Sequence, residues 1–138
     1  MKQENVIKEK SYKFAVRAVR LSQFLVNEKR EFVLSKQILR SGTAVGALVR
    51  EAEQAESRKD FIHKLAIALK EANETEYWID LIKDTDYIDE KLHQSLYKDC
   101  NELIRIITAI IKTTKGRKKV DNSLHSHAFL SSLFLQQK

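Results

Sequence analysis

The segment LHQSLYKDCNELIRIITAII, residues 92–111, shows a helical pattern more clearly than any other part of the chain. Its large apolar residues follow one another at spacings of 4, 7, 4 and 3: Leu92, Leu96, Leu103, Ile107 and Ile110. These spacings place the side chains on one face of a helix with 3.6 residues per turn. We therefore predict an amphipathic helix that Asp89 caps at its start and that stops near Gly116.

Three earlier segments have the same period. We expect helices at about residues 8–27, from Ser35 to a turn near Ala55, and from Ser57 to Lys83. Ser35 and Ser57 are the expected N-terminal caps, because a serine hydroxyl accepts a hydrogen bond from an unpaired amide of the first turn. The chain has no proline and three glycines among 138 residues, which is too few turn formers for a β-rich domain.

Four amphipathic helices of similar length, joined by short turns, bury their apolar faces only by packing against one another. We therefore predict an all-α protein, an antiparallel up-and-down four-helix bundle over residues 1–115. Residues 116–138 are basic at first and then apolar, and we expect a mobile tail there. Its apolar segment AFLSSLFL either docks on a partner subunit or stays disordered.

Two glycines interrupt the second predicted helix, in the run GTAVGA of residues 42–47. Each costs about 1 kcal/mol relative to alanine in a helix interior. A phosphate-binding loop needs a lysine and a hydroxyl residue after its last glycine, whereas Gly46 precedes Ala47 and Leu48. We therefore predict that Gly42 and Gly46 let another helix approach closely.

Charge is unevenly distributed along the chain, whose net charge is +6. Residues 1–50 carry a net charge of +7, residues 51–111 carry −6, and residues 112–138 carry +5. This distribution suits a surface that faces a polyanion, and the alternative is a solvated surface whose charge is uneven by chance. The candidate nucleic-acid-binding residues are Lys13, Arg17, Arg20, Lys36, Arg40, Lys112, Lys115, Arg117, Lys118 and Lys119.

No pattern in the sequence supports a metal, a cofactor or a membrane span. Cys100 is the only cysteine, so we expect a buried and inert thiol. His125 and His127 supply too few ligands for a metal site, and Glu90-x-x-His93 has no second matching pair beside it. The absence of a signal peptide and of a long apolar segment leads us to expect a cytoplasmic protein.

One short pattern is typical of an enzyme. Arg58 and His63 are separated by four residues, as in the motif of helical HEPN-type ribonucleases, which such proteins use on the RNA backbone. The alternative is that both belong to an ordinary first helical turn, with Ser57 as cap and His63 on the surface. We favour the alternative and expect no enzymatic activity.

Three motifs resemble a known family. The segment SKQILRSGTAVG, residues 35–46, is followed by Glu51-Ala52, and SRKDF and KEANET occupy residues 57–61 and 70–75. Together they resemble the four-helix-bundle proteins encoded in intervening sequences of 23S ribosomal RNA genes, over about residues 5–115. The chain departs from the family at Leu48, where asparagine is frequent, and at Arg50.

The resemblance implies a homopentameric ring without enzymatic activity. It also implies kinship with the accessory proteins of diversity-generating retroelements, which bind nucleic acid and a reverse transcriptase. The sequence leaves two functions open: a homo-oligomer that binds RNA or DNA nonspecifically through basic surfaces, and a protein-interaction scaffold whose basic residues only keep it soluble.

Overall fold

The computed structural model describes the backbone of residues 3–120 and the side chains of residues 5–116. These residues form four helices and no strand: α1 (Gln3–Lys29), α2 (Leu34–Glu53), α3 (Arg58–Asp84) and α4 (Glu90–Val120). Each helix packs against the next one in the chain, and α4 also contacts α1. The predicted all-α four-helix bundle is confirmed.

The predicted apolar faces form the core. On every helix most stripe residues are at most 5% exposed, as Phe14, Ile38, Leu65 and Ile107 illustrate, whereas Leu92 at the start of α4 is only partly buried. Ile7 is also fully buried, and α1 accordingly begins five residues earlier than the predicted Lys8. The free energy of folding therefore comes mainly from burying these stripes against one another, as expected for amphipathic helices.

The caps of α3 and α4 are those that the sequence predicts. The Ser57 hydroxyl accepts a hydrogen bond from the amide of Asp60 at 3.0 Å. The Asp89 carboxylate accepts one from the amide of Leu92 at 2.8 Å. Each bond satisfies an amide that the first helical turn leaves without a partner.

The predicted cap of α2 is wrong. Ser35 lies inside the first turn of α2, and its own amide donates a hydrogen bond to Glu31 Oε1 at 2.8 Å. The other oxygen of that carboxylate accepts from the amide of Val33 at 3.2 Å. Arg30, with a φ of 54°, reverses the chain just before Glu31, so a carboxylate ahead of the helix replaces the serine hydroxyl.

The predicted stop at Gly116 is also wrong, because α4 continues to Val120. A glycine stop requires a left-handed conformation, and no described glycine has a positive φ. Thr114 is fully buried, whereas a side chain at Gly116 would meet nothing within 4 Å. The last turns of α4 therefore extend beyond the bundle. The tail at residues 121–138 lies outside the described residues.

The two glycines of α2 allow α1 to approach closely, as predicted. A Cβ atom added at Gly42 would lie 2.5 Å from the Cβ of Ala18. One added at Gly46 would lie 3.2 Å from the carbonyl oxygen of Ser11. Both distances are shorter than the usual contact between nonbonded atoms, so the glycines set the spacing of α1 and α2.

Candidate nucleic-acid interface

The candidate residues of α1 line the seam between α1 and α4. Arg17 forms an ion pair with Asp99 at 2.7 Å and also donates a hydrogen bond to the carbonyl oxygen of Ser95 at 3.3 Å. Lys13, one turn earlier, is 3.7 Å from Glu9 and largely exposed. Arg20 donates a hydrogen bond to Gln23 at 3.2 Å. Arg17 therefore helps to hold two helices together, while Lys13 and Arg20 remain open to solvent.

The candidate residues of α2 lie on another side of the bundle. Arg40 bridges to α3, where it contacts Glu71 at 3.2 Å and also Glu74. Lys36, one turn earlier, is exposed and has no ion pair with any side chain within residues 5–116. The Arg40 contacts neutralise much of the charge that the sequence assigns to this face.

The candidate residues of α4 lie where that helix leaves the bundle. Lys112 and Lys115 are exposed and form no ion pair within the part of the chain whose side chains are described. Arg117, Lys118 and Lys119 belong to the helical backbone of α4, and their side chains lie outside the described residues. The negative end of the helix dipole stabilises part of this positive charge.

The structure therefore does not bring the ten candidates onto one face. Three lie on α1 toward α4, two lie on α2 toward α3, and five belong to the C-terminal part of α4. Sequence reasoning missed the interhelical ion pairs, which use the basic first part of the chain and the acidic middle: Lys10 with Glu102, Arg17 with Asp99, and Arg40 with Glu71. The two pairs between α1 and α4 could have been predicted by aligning these helices in antiparallel orientation and looking for opposite charges at the same level.

Antiparallel packing gathers positive charge at one end of the bundle. Lys8 contacts Glu53 at 2.9 Å, and Lys10 contacts Glu102 at 3.3 Å. The start of α1, the end of α2 and the last part of α4 therefore share one end. From Glu102, α4 continues for about 27 Å, whereas α1 extends only about 10 Å beyond Lys10. The end of α4 thus reaches about 16 Å farther than the start of α1, and about 9 Å of it follow the buried Thr114.

The nuclease motif does not form a convergent pair. Arg58 is 1% exposed, whereas His63 is exposed on the surface of α3. Five residues along an α-helix correspond to a rotation of about 140°, so the two side chains leave the helix in different directions. A catalytic pair needs both groups within reach of one substrate atom. This geometry does not support a shared site.

No cluster of three or more potential metal ligands occurs among the described residues. His93, the partner of Glu90 in the short motif, instead contacts Asp80 of α3 at 2.7 Å. His125 and His127 lie outside the described part of the chain. No helix within residues 3–120 is long and apolar enough to cross a membrane.

Cys100 is fully buried between α4 and α3. Its Sγ donates a hydrogen bond to the carbonyl oxygen of Ala72 at 3.2 Å. Burial raises the pKa of the thiol to about 12, and the nearby carboxylates of Glu76 and Asp80 act in the same direction. The thiolate needed for nucleophilic chemistry is therefore disfavoured.

A second cationic feature was not visible in the sequence. The guanidinium of Arg50, at the end of α2, lies 5.6 Å from the ring centroid of Tyr12 on α1. The two residues are far apart in the chain, so only the packing of α1 on α2 brings them together. Tyr12 is 58% exposed and borders a cleft with Lys8.

Comparisons with known proteins agree with this architecture. The chain is similar to the crystal structure of a protein of unknown function from the S23 ribosomal protein family of Bacteroides thetaiotaomicron VPI-5482. The two are 59% identical, the match covers 80% of this chain and 98% of the other, and the TM-score is 0.79. No curated protein matches the chain. The sequence model of the 23S rRNA-intervening sequence protein family matches residues 3–109, and the chain belongs to that family.

Proposed function

We propose that this protein is a non-enzymatic, homo-oligomeric bundle that binds the phosphate backbone of RNA or DNA, with the basic end of α4 as its main contact. The observation that supports this most directly is the state of Lys112 and Lys115. Both are exposed and form no ion pair within residues 5–116. Three further basic residues follow them in the backbone of the same overhanging helix: Arg117, Lys118 and Lys119.

Phosphate binding by such a cluster needs no base contacts. Each neutralised phosphate releases condensed counterions, which makes binding favourable at low salt and insensitive to sequence. Lys13, Arg20 and Lys36 are secondary contacts in this proposal, because they are exposed but lie on other sides of the bundle. Arg17 and Arg40 contribute least, since each already contacts carboxylates.

Oligomerisation would increase the affinity further. In a symmetric ring the same basic helix end recurs once per subunit, so a modest charge per chain acts together on one polymer. We propose a homopentamer and, as a special case, an accessory protein of a retroelement reverse transcriptase, both on the strength of the family resemblance. Light scattering gives the subunit number, and co-purification with a reverse transcriptase tests the special case.

The decisive experiment is a salt titration of RNA binding. The double variant Lys112→Glu/Lys115→Glu is compared with Lys91→Glu/Lys98→Glu, which makes the same charge change at two exposed positions of the same helix. For the wild type, we expect the logarithm of the association constant to fall linearly with the logarithm of the salt concentration. The first variant should bind more weakly, with a slope smaller by about 1.5, while the control should stay close to the wild type.

Three outcomes would count against the proposal. Equal losses in the two double variants would mean that overall charge matters and the end of α4 does not. An absence of binding at about 50 mM salt would favour the scaffold function. Cleavage of RNA during long incubation, abolished by His63→Ala, would show an enzyme after all.

One observation favours the scaffold as the second candidate. An open groove of about 360 Å³ between α1 and α4 is lined by two arginines, Arg17 and Arg20, and by five apolar residues: Val16, Leu21, Phe24, Leu92 and Leu96. Val16 and Phe24 on its rim are 41% and 37% exposed. An apolar surface of this kind suits a protein partner better than a phosphate backbone.

A further inference from the structure

We propose that the cleft around Tyr12 and Arg50 is a base-stacking site for single-stranded RNA or DNA. This inference rests on the proposed function and names the form of nucleic acid that the protein takes. The phosphate contact at the end of α4 does not distinguish single strands from duplexes, whereas a site that holds the face of a base does.

The cleft has the shape that a flat ring requires. It lies in the groove between α1 and α2 and has a volume of about 240 Å³, and four of its seven lining residues are small: Ala15, Thr43, Gly46 and Ala47. Gly46 packs closely against the backbone of Ser11, where an added Cβ would lie 3.2 Å from the carbonyl oxygen. The other three lining residues are Tyr12 and the cations Lys8 and Arg50.

Tyr12 provides the stacking surface. Its side chain is 58% exposed, although a tyrosine ring gains free energy when it is covered. The guanidinium of Arg50 lies 5.6 Å from the ring centroid, so a planar cation adjoins the aromatic surface. Aromatic rings and arginine planes are the two groups on which proteins stack unpaired bases.

The charge of the cleft favours a polyanion over a neutral ring. Among residues 5–116, the acidic side chains nearest to it along α1 and α2 each have a basic partner: Glu9 with Lys13, Glu51 with Lys64, and Glu53 with Lys8. Arg50 is exposed and forms no ion pair among the side chains of residues 5–116. Its positive charge therefore remains available to the phosphate that adjoins a stacked base.

Tyr77 shows why exposure alone is not sufficient. It is also 58% exposed, but it lies on α3 beside Glu74, Glu76 and Asp80, one turn or less away. Glu74 contacts Arg40 and Asp80 contacts His93, but Glu76 forms no ion pair among the side chains of residues 5–116, and no basic residue lies within one turn of Tyr77 on α3. Tyr77 therefore provides a matched control, with equal exposure but without a cation beside it on its own helix.

The position of the cleft suits a strand that also contacts α4. Because Lys8 contacts Glu53 and Lys10 contacts Glu102, the cleft and the basic end of α4 lie toward the same end of the bundle. With the Lys10–Glu102 pair as a common level, Lys115 lies about 22 Å from Tyr12 along the bundle axis, so a single strand that contacts both must span that distance. In a duplex the base faces are covered by their neighbours, so the cleft gains nothing from double-stranded nucleic acid.

The test measures the affinity of three variants for a homopolymeric single-stranded RNA and for a duplex of equal length, at one fixed salt concentration. Tyr12→Ala should weaken single-strand binding by about fivefold or more and leave duplex binding unchanged. Tyr12→Phe should keep the wild-type affinity, because the ring and not the hydroxyl stacks. Tyr77→Ala should also keep it.

The outcomes separate this inference from the proposed function. If the wild type binds neither nucleic acid, the proposed function itself fails. If it binds both and Tyr12→Ala behaves like Tyr77→Ala, or weakens both ligands equally, only the stacking site is refuted. Far-UV circular dichroism checks folding and light scattering checks mass; a smaller assembly in Tyr12→Ala would assign Tyr12 to a contact between copies of the chain and would overturn the inference.

Discussion

Replacing Gly42 with alanine is expected to destabilise the bundle by about 2 kcal/mol, although the same change stabilises most helices. The added Cβ would lie 2.5 Å from the Cβ of Ala18, whereas carbon atoms prefer separations of about 3.5–4.0 Å. Ala18 is 1% exposed, and its Cβ is fixed to the backbone of α1. The strain is therefore relieved only by moving a helix.

The expected magnitude is the difference of two terms. Overpacking of a core costs about 1–3 kcal/mol, and we take the upper value because the opposing atom cannot rotate away. The gain in helix propensity from glycine to alanine is about 1 kcal/mol. For a domain of this size the remaining 2 kcal/mol lowers the Tm by about 6–10 °C.

A double-mutant cycle isolates the contact. Ala18→Gly alone should lower the free energy of unfolding by about 2 kcal/mol, because it lowers helix propensity and removes one buried methyl group. In the exchange variant, Ala18→Gly with Gly42→Ala, the methyl group only changes sides and the propensity terms cancel. That variant should lie within about 1 kcal/mol of the wild type, so the magnitude of the coupling energy should be roughly 3–5 kcal/mol.

Urea unfolding at one fixed protein concentration, followed by far-UV circular dichroism and by the fluorescence of Trp78, measures these values. Gly116→Ala is the control, because nothing lies within 4 Å of its added Cβ, and it should not destabilise the protein. A Gly42→Ala variant as stable as the wild type, or effects that simply add in the exchange variant, would refute the role of this contact.

Two further predictions follow from the described side chains. Ser57→Ala should destabilise the protein by about 1 kcal/mol in urea unfolding, because the amide of Asp60 loses its acceptor, while Ser57→Asp should retain most of the stability; equal losses would show that the cap is unimportant. Near pH 9, Cys100 should react with a thiol reagent far more slowly in the folded protein than in urea, because its folded pKa is about 12 and the ordinary value is 9.0. Rapid labelling of the folded protein would contradict the burial. Since the thiol of the unfolded chain ionises at lower pH, the contribution of Cys100 to the free energy of unfolding should be lost as the pH rises from about 9 to about 12. Cys100→Ala should remove that part of the pH dependence.

The sequence was sufficient to predict the fold class and most of the core. Periodic apolar residues, the absence of proline and the caps at Ser57 and Asp89 are local signals, and each acts within a few residues of chain. Two helix ends were predicted wrongly for the same physical reason. The cap of α2 depends on a chain reversal at Arg30, and the continuation of α4 depends on the conformation of Gly116, neither of which is encoded in apolar periodicity.

The candidate interface stays a prediction, and the sequence could not show which of its side chains have partners. Residue types and charge along the chain identified basic side chains, but they did not show which of them had partners. Arg17 and Arg40 meet carboxylates from helices distant in sequence, whereas Lys112 and Lys115 lie where α4 leaves the bundle and meet none within the described residues.

Four amphipathic helices, the buried side of each, and the close approach at Gly42 and Gly46 all follow from the order of residues along the chain. Which charges are neutralised, and the shared cleft of Tyr12 and Arg50, follow only from how the helices pack. The reason is that helical periodicity is a local property of the chain, while electrostatic pairing depends on distances between residues that only packing brings together.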